Sequence, residues 1–302
     1  MQAGQPNRHA QADPPRWVML GASGRVGRML MRAWRNDPPQ DMQIVPQFRD
    51  RPGHPDSLDW APLAGAGPLR RWVGEKGAIA GMFLFAGVTP RSHGALTDNA
   101  ALAEAALAAA QAVGIPRVIV ASSAAVYGTA KPADWCETDD PAPEGGYGQA
   151  KLATEETCRA WRARGLDVCC LRIGNVAGAD AALLNVAGAC AEQPIRLHRF
   201  ADGQGPVRSY IGVASLAQVL ESLACHDAPL PPVLNVAAPV PVAMESLLRA
   251  ANAPFRFVPA PHDAVARVTL DCTRLGAFHA FAADAGTPKA MVEQWQRVRD
   301  PR

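Results

Sequence analysis

The sequence predicts a doubly wound parallel α/β sheet, and three observations predict it. Strand-like and helix-like stretches alternate through the first half of the chain, the pattern of successive β-α units. A short apolar run, Trp17–Leu20, ends in the glycine-spaced segment Gly21-Ala22-Ser23-Gly24-Arg25-Val26-Gly27, and residues 28–34 then carry apolar side chains at helical spacing. An alanine-rich stretch, Ala100–Ala112, precedes a second apolar run, Arg117–Ala121. Alanine is the best helix former, and its small side chains let a helix lie close on a sheet.

Taken in order, Trp17–Leu20 reads as the first strand and Val26–Arg35 as the first helix, because the apolar period changes from continuous to helical. Gln43–Phe48 is the second strand. Arg51–Gly67 is rich in Pro and Gly and is expected to be irregular. Gly81–Ala86 is the next strand, and Thr97–Ala112 is a helix that Gly114 and Pro116 stop. Arg117–Ala121 is a strand. Lys131–Gly146 combines Pro, Gly and acidic residues, the composition of a mobile loop over a site. Tyr147–Arg164 is a helix, Asp167–Ile173 a strand and Leu216–Cys225 a helix. From about Ala179 the alternation weakens and prolines become frequent. The expected organisation is a disordered leader over residues 1–15, a nucleotide-binding unit over 16–178 and a smaller lobe over 179–302. Elements of that lobe return to the sheet.

Composition excludes several classes. The 302 residues suffice for one large α/β unit and a small lobe. A formal net charge of +2 argues against a nucleic-acid or anionic-membrane partner. No apolar run of membrane-spanning length and no secretory pattern is present, so a cytoplasmic protein is expected. The seven cysteines are odd in number and lack a Cys-x-x-Cys pair, which points to free thiols in a reducing compartment. The seven histidines are scattered without a His-x-x-x-His pair, so no metal site is expected.

Two motifs carry chemistry. In the glycine segment, Gly21 would permit a tight turn, Gly24 a close approach of backbone to pyrophosphate, and Gly27 close packing of helix on strand. The helix N-terminus would offer N–H groups and a positive dipole end to phosphates. Farther on, Tyr147 and Lys151 stand four residues apart, on one helix face. A lysine ammonium there would pull the phenol down from its usual pKa of about 10. The tyrosine could then exchange a proton with a substrate alcohol. Ser122 and Ser123 end the preceding strand, where a hydroxyl could hold the same substrate oxygen. Tyr-x-x-x-Lys alone is a weak pattern, and so is the glycine segment; their order along one chain makes the pair specific.

With these residues in order, the chain resembles an extended short-chain dehydrogenase/reductase of the NAD-dependent epimerase/dehydratase type, from roughly Arg16 to Val298. The resemblance implies a Rossmann-type sheet with a small C-terminal substrate lobe. It places cofactor contacts on Gly21, Ser23, Gly24, Arg25, Val26 and Gly27, on Ala86-Gly87 after the fourth strand, and on Tyr147 and Lys151. Asp59, in Leu58-Asp59-Trp60, matches the acidic residue near the adenine ring. Asn99 matches the structural and catalytic asparagine, and Ser123 the catalytic serine, with Ser122 second. Leu171–Gly178 resembles the Arg-x-x-Asn-x-x-Gly segment that puts Asn175 at the substrate cleft. Residues 207–217 resemble the motif that supplies Arg208. That motif departs from the family pattern: Ser209, Gly212 and Ser215 replace the usual Asp, His and Asp. Ser123 is followed by Ala124-Ala125 and not by an acid, which disfavours dehydration.

At the end of the second strand, Gln47 and Phe48 fall where an acid would hold the ribose of NAD, and Arg49 follows. Arginine suits phosphate, so NADP is favoured over NAD. Asp50 would serve NAD instead if the register were shifted by two. The expected activity is an NAD(P)-dependent epimerase or oxidoreductase acting on a hydroxyl or carbonyl carbon of a small molecule. A nucleotide sugar held by Arg208 and Asn175 is preferred. The alternatives are an NADP-dependent reductase of a small aldehyde or ketone, and a regulator that binds the cofactor without turnover. A homodimer is compatible with the resemblance.

Overall fold

The computed structural model describes residues 13–49, 56–90, 94–129 and 133–299. Most of the expected leader, together with Asp50, Arg51 and Lys131, lies outside the described residues. The chain opens with β1 (Arg16–Leu20), α1 (Arg25–Asn36), β2 (Gln43–Phe48) and β3 (Leu58–Asp59). Next come α2 (Gly67–Lys76), β4 (Gly81–Leu84), α3 (Asp98–Val113), β5 (Arg117–Ser123), α4 (Gly146–Ala163) and β6 (Asp167–Ile173). The C-terminal part begins with β7 (Asn175–Val176), β8 (Ile195–Arg199), β9 (Val207–Arg208), β10 (Tyr210–Ile211) and α5 (Val213–Ala224). It continues with β11 (Val233–Val236), β12 (Val242–Ala243), α6 (Met244–Ala250), β13 (Phe255–Pro259), β14 (Arg267–Val268) and α7 (Pro288–Val298).

Seven strands form one parallel sheet in the order β11-β6-β5-β4-β1-β2-β3. The sheet is wound outward from β1 in both directions, so β1 and β4 flank the switch point. In open α/β sheets the ligand crevice lies there, beyond the carboxyl ends of the strands. Alternation along the strands sends side chains to two cores. Trp17, Met19, Phe83, Ile119, Cys169 and Leu171 face one layer, with α1 and α5; Trp17 and Trp34 both stack on Phe83, at 4.6 and 5.8 Å. Val18, Leu20, Met82, Leu84, Val118, Val120 and Cys170 face the other, with α3 and α4. Burial on both faces is why these strands read as continuous apolar runs. All seven cysteines are free thiols.

Two sequence expectations are corrected. Within Arg51–Gly67, Leu58–Asp59 is a strand paired with β2, and Pro62–Ala64 forms a 3-10 turn. A two-residue strand has too little periodicity to show through the Pro and Gly around it. The described part of the Lys131–Gly146 loop is pinned, not loose. Trp135 is buried and stacks on Tyr127 at 5.2 Å, and its backbone exchanges hydrogen bonds with Thr269 and Asp271. The side chain of Asn235 donates to Trp135 O at 2.8 Å, and Glu137 accepts from the backbone of Asn235 at 2.9 Å. Beyond residue 179 the chain builds small sheets, β10-β7, β12-β9-β14 and β13-β8, while β11 returns to the main sheet beside β6. Among the described residues no helix is long and apolar enough to cross a membrane.

Candidate active site

The glycine segment is shaped by contacts that only glycine tolerates. Gly21 has φ +96°, and a Cβ there would stand 2.4 Å from Ala86 N; one on Gly27 would stand 2.1 Å from Gly21 O. The tight turn closes with Gly24 N donating to Gly21 O at 2.9 Å. Gly24 caps α1 in an extended conformation without a side-chain cap bond, and the first turn carries no acid. The orphan N–H groups of that turn are therefore left for an anion. Two joined cavities, about 510 and 520 Å³, run along this edge and share Ser23, Gly24, Phe85, Gly87 and Val88. The first is lined by Arg25, Val26, Gly27, Arg28, Tyr147 and Lys151, the second by Gly21, Ala86, Gln47 and Arg49.

The residue at the expected acid position is fully committed. The buried amide of Gln47 accepts from Gly21 N at 3.1 Å and donates to Trp60 O. No carboxylate faces the cavity from this position, and Arg49 lies beside it. Asp59 is not among the cavity's lining residues. The β3 alternation buries Leu58 and turns Asp59 outward, and Ala61, Pro62 and Leu63 form the wall instead. Asn99 is buried behind the loop after β4. Its Oδ1 accepts from Val88 N at 2.7 Å, and its Nδ2 donates to Val88 O and Leu96 O. It thus fixes the loop that carries Gly87; a Cβ on Gly87 would meet Asn99 Oδ1 at 2.6 Å and Lys151 Nζ at 3.8 Å.

Tyr147 and Lys151 share one face of α4, with the ammonium 5.9 Å from the ring centre. Ser123 ends β5 opposite them, and Ser123, Tyr147 and Lys151 line the same glycine-side cavity. The pKa expectation for Tyr147 is overturned in direction. Burial holds the phenol above its ordinary value, with the neighbouring Ser123 hydroxyl acting the other way. Lys151 is itself buried, which pushes its ammonium down to about 8, and it donates to Ala121 O at 2.7 Å. The carbonyl, not the phenol, is its direct partner. Ser122 points elsewhere: its hydroxyl donates to Glu155 at 2.5 Å, inside the buried Glu155–Arg172 pair, itself closed at 2.8 Å. This network ties the end of β5 to α4 and β6, and sequence reading did not foresee it.

A larger cavity, about 730 Å³, opens on the other side of Tyr147 toward the C-terminal part. Ser123, Tyr147, Ile173, Gly174 and Asn175 line both this cavity and the glycine-side one. Arg208 lies on its wall, and its guanidinium donates to the carbonyls of Val207, Val265 and Ala266 at 2.8–3.0 Å. The same wall holds Glu144, His198 and Asp263, which the sequence did not single out. Only Glu144 had a local signal, standing three residues before Tyr147. Thr129 donates to it through both its N–H and its hydroxyl, and these bonds hold the carboxyl below its usual range. Tyr210, beside Asn175 in the β10-β7 pair, is buried and donates to Asp180 at 3.2 Å.

The three motif departures have local replacements. Ser209 Oγ accepts from Leu270 N at 2.9 Å. The space over Gly212 is filled by Gln294 of α7, whose Oε1 would lie 2.1 Å from a Cβ there. That oxygen accepts from Ala214 N and Ser215 N, capping α5, and Gln294 Nε2 donates to Ser215 Oγ.

Comparison with solved structures shows the same architecture. The UDP-glucuronic acid 4-epimerase of Bacillus cereus, solved with UDP-glucuronic acid and NAD, superposes with a TM-score of 0.72 at 15% identity, covering 94% of this chain and 100% of that one. The Thermus thermophilus UDP-glucose 4-epimerase, solved with NAD, gives 0.70 at 18% identity over 93% and 99%. TunA, an NAD-dependent NDP-hexosamine 5,6-dehydratase involved in tunicamycin biosynthesis, gives 0.70 at 19% over 95% and 99%. At such identities the likeness is one of fold. No curated protein matches the sequence. The profile of a family described as NAD dependent epimerase/dehydratase matches residues 17–208, most of the chain and every element that shapes the glycine-side cavities, and the chain belongs to that family.

Proposed function

We propose that the protein is an NAD(P)-dependent oxidoreductase or epimerase in which Tyr147 is the general acid/base at a hydroxyl or carbonyl carbon. The observation that carries this is the meeting of the two cavities at Tyr147 and Ser123. A substrate oxygen in the larger cavity and a nicotinamide in the other would adjoin the same phenol.

The residues present fit a dinucleotide. The glycine-only turn, the uncapped first turn of α1 and Arg25 suit a pyrophosphate, and Lys151 suits the ribose beside the nicotinamide. The neutral, committed Gln47 and the adjacent Arg49 favour NADP over NAD, although two of the named neighbours were solved with NAD. When bound, the nicotinamide supplies or accepts the hydride. Ser123 orients the substrate oxygen. Tyr147, held protonated by burial, gives its proton to that oxygen as a carbonyl is reduced and recovers it in the reverse direction. Lys151 opposes the negative charge that develops on the phenol. Glu144, kept ionised by Thr129, is a poor proton donor, which weighs against dehydration. The proposal holds for a nucleotide sugar, as the neighbours' substrates suggest, and for a smaller compound alike.

Tyr147→Phe tests it. The ring is retained and only the hydroxyl is lost, so turnover should fall by about 10²–10⁴-fold while NADP(H) affinity, read by calorimetry, stays close to wild type. Near wild-type turnover in that variant would remove Tyr147 from the mechanism.

A further inference from the structure

We infer that the substrate is an uncharged carbonyl compound or the corresponding alcohol, and not a nucleoside-diphosphate sugar. The inference rests on the proposed function and names the substrate class for that same site. It comes from the charges that line the two sides of Tyr147.

On the glycine side the walls carry Arg25, Arg28, Arg49 and Lys151 against Asp98 and Asp180. That excess of cations matches a dinucleotide, which brings at least two phosphate charges. On the substrate side the balance is reversed. Glu144 and Asp263 share the wall with Arg208, its lone arginine among the described residues, and no lysine among those residues lines the cavity. His198 is the remaining basic side chain, and even a protonated His198 would only bring the wall to balance. Arg208 has no carboxylate within ion-pairing distance among the described residues, but Val207, Val265 and Ala266 already occupy much of its donor capacity. Its role in the fold is to fasten the 261–266 segment that walls the cavity.

A diphosphate entering here would meet more negative than positive groups among the described residues, with Glu144 and Asp263 exposed at the cavity rim. Binding of polar and charged ligands requires complementary potential, and like charges brought together suppress the wrong ligand. Volume does not discriminate, because about 730 Å³ would accommodate a nucleotide sugar. Charge does. The protein would therefore admit its anionic partner on one side of Tyr147 and exclude anions on the other. An uncharged ligand meets no such barrier, and Ser123, Asn175, Ser209 and Thr129 offer it hydrogen bonds.

The test uses the full chain saturated with NADP(H). UDP and dTDP are titrated calorimetrically at low salt, and NADPH oxidation is followed with a panel of neutral aldehydes and ketones beside UDP- and dTDP-sugars. The expected result is no saturable nucleotide binding up to about 1 mM, with reduction confined to the neutral compounds. The double variant Glu144→Gln with Asp263→Asn should strengthen UDP binding by on the order of tenfold at low salt, and added salt should erase the difference. Micromolar UDP or dTDP binding to the wild type, or turnover of any nucleotide sugar, overturns the inference and leaves the oxidoreductase reading intact. An unchanged UDP affinity in the double variant also overturns it. If the nucleotides fail to bind and NADP(H) binds, yet no carbonyl compound is reduced, the oxidoreductase reading falls while the exclusion of anions stands.

Discussion

Replacing Lys151 with methionine should stabilise the fold while disabling the site. Lys151 is only 8% exposed, and burial pushes its ammonium from 10.5 down to about 8. One pH unit corresponds to about 1.4 kcal/mol, so holding this charge inside the protein costs on the order of 3 kcal/mol below pH 8. Methionine removes that cost and fills a similar volume. It also removes the bond from Nζ to Ala121 O, and a carbonyl left bare costs about 1 kcal/mol. The net gain at pH 7 is about 2 kcal/mol. Its pH dependence has a definite sign. Below pH 8 the lysine is charged in folded and unfolded chains alike, and the full cost is present. Between 8 and 10.5 the unfolded chain binds more protons than the folded one, so the wild type gains stability as pH rises and the advantage of methionine shrinks. Above 10.5 it is gone. Guanidinium unfolding at pH 7 and at pH 10 measures both values. A methionine variant less stable than wild type at pH 7, or equally favoured at both pH values, would refute the reasoning.

Arg49→Ala should weaken NADP(H) by about ten- to a hundredfold, the loss of one charge-assisted hydrogen bond to phosphate, and leave NAD(H) nearly unchanged; equal small effects on both cofactors would show that Arg49 does not reach the ribose phosphate. Gly212→Ala should cost about 1–2 kcal/mol, the scale of a lost helix cap, because its Cβ displaces the Gln294 oxygen that caps α5. Gln294→Ala removes the same cap, so unfolding of the double variant should show a loss close to that of one substitution and not the sum.

The elements legible in the sequence were those whose period is long enough to count. The strands β1, β2, β5 and β6 and the helices α1, α3, α4 and α5 lie within a few residues of their expected bounds, since each presents at least one full apolar repeat. The short strands β3, β7, β9, β10, β12 and β14 hold two residues each and exist only through their partners. α7 did carry a readable start: Thr287 caps it by accepting from Ala290 N, with Pro288 at its first position. The site divides in the same way. Ser123, Tyr147 and Lys151 sit on consecutive elements, β5 and α4, so spacing alone brings them together. Asp263, His198 and Gln294 reach their places through lobe packing, for which a single sequence offers no period. Asp59 was misjudged because residue type was read without the strand alternation that turns it outward.

The altered motif around Arg208 looks from its residue types like a site in decay. Its hydrogen bonds argue otherwise. Ser209 holds the backbone of Leu270, and Gln294 supplies from another helix the cap that Ser215 and Gly212 do not. What changed is the charge of the lattice, not its connectivity. Meanwhile the buried lysine stands on α4 without a carboxylate in direct contact among the described residues, at a cost to stability that a neutral side chain would avoid. A group held in an unfavourable ionisation environment within a cleft is a mark of chemistry. Under the proposed function, Tyr147 and Ser123 at the junction of two cavities serve proton transfer, a use that binding the dinucleotide alone does not require. Under the proposed function, a proton-transfer set beside a wall without surplus cations among the described residues would suit a substrate that carries no phosphates.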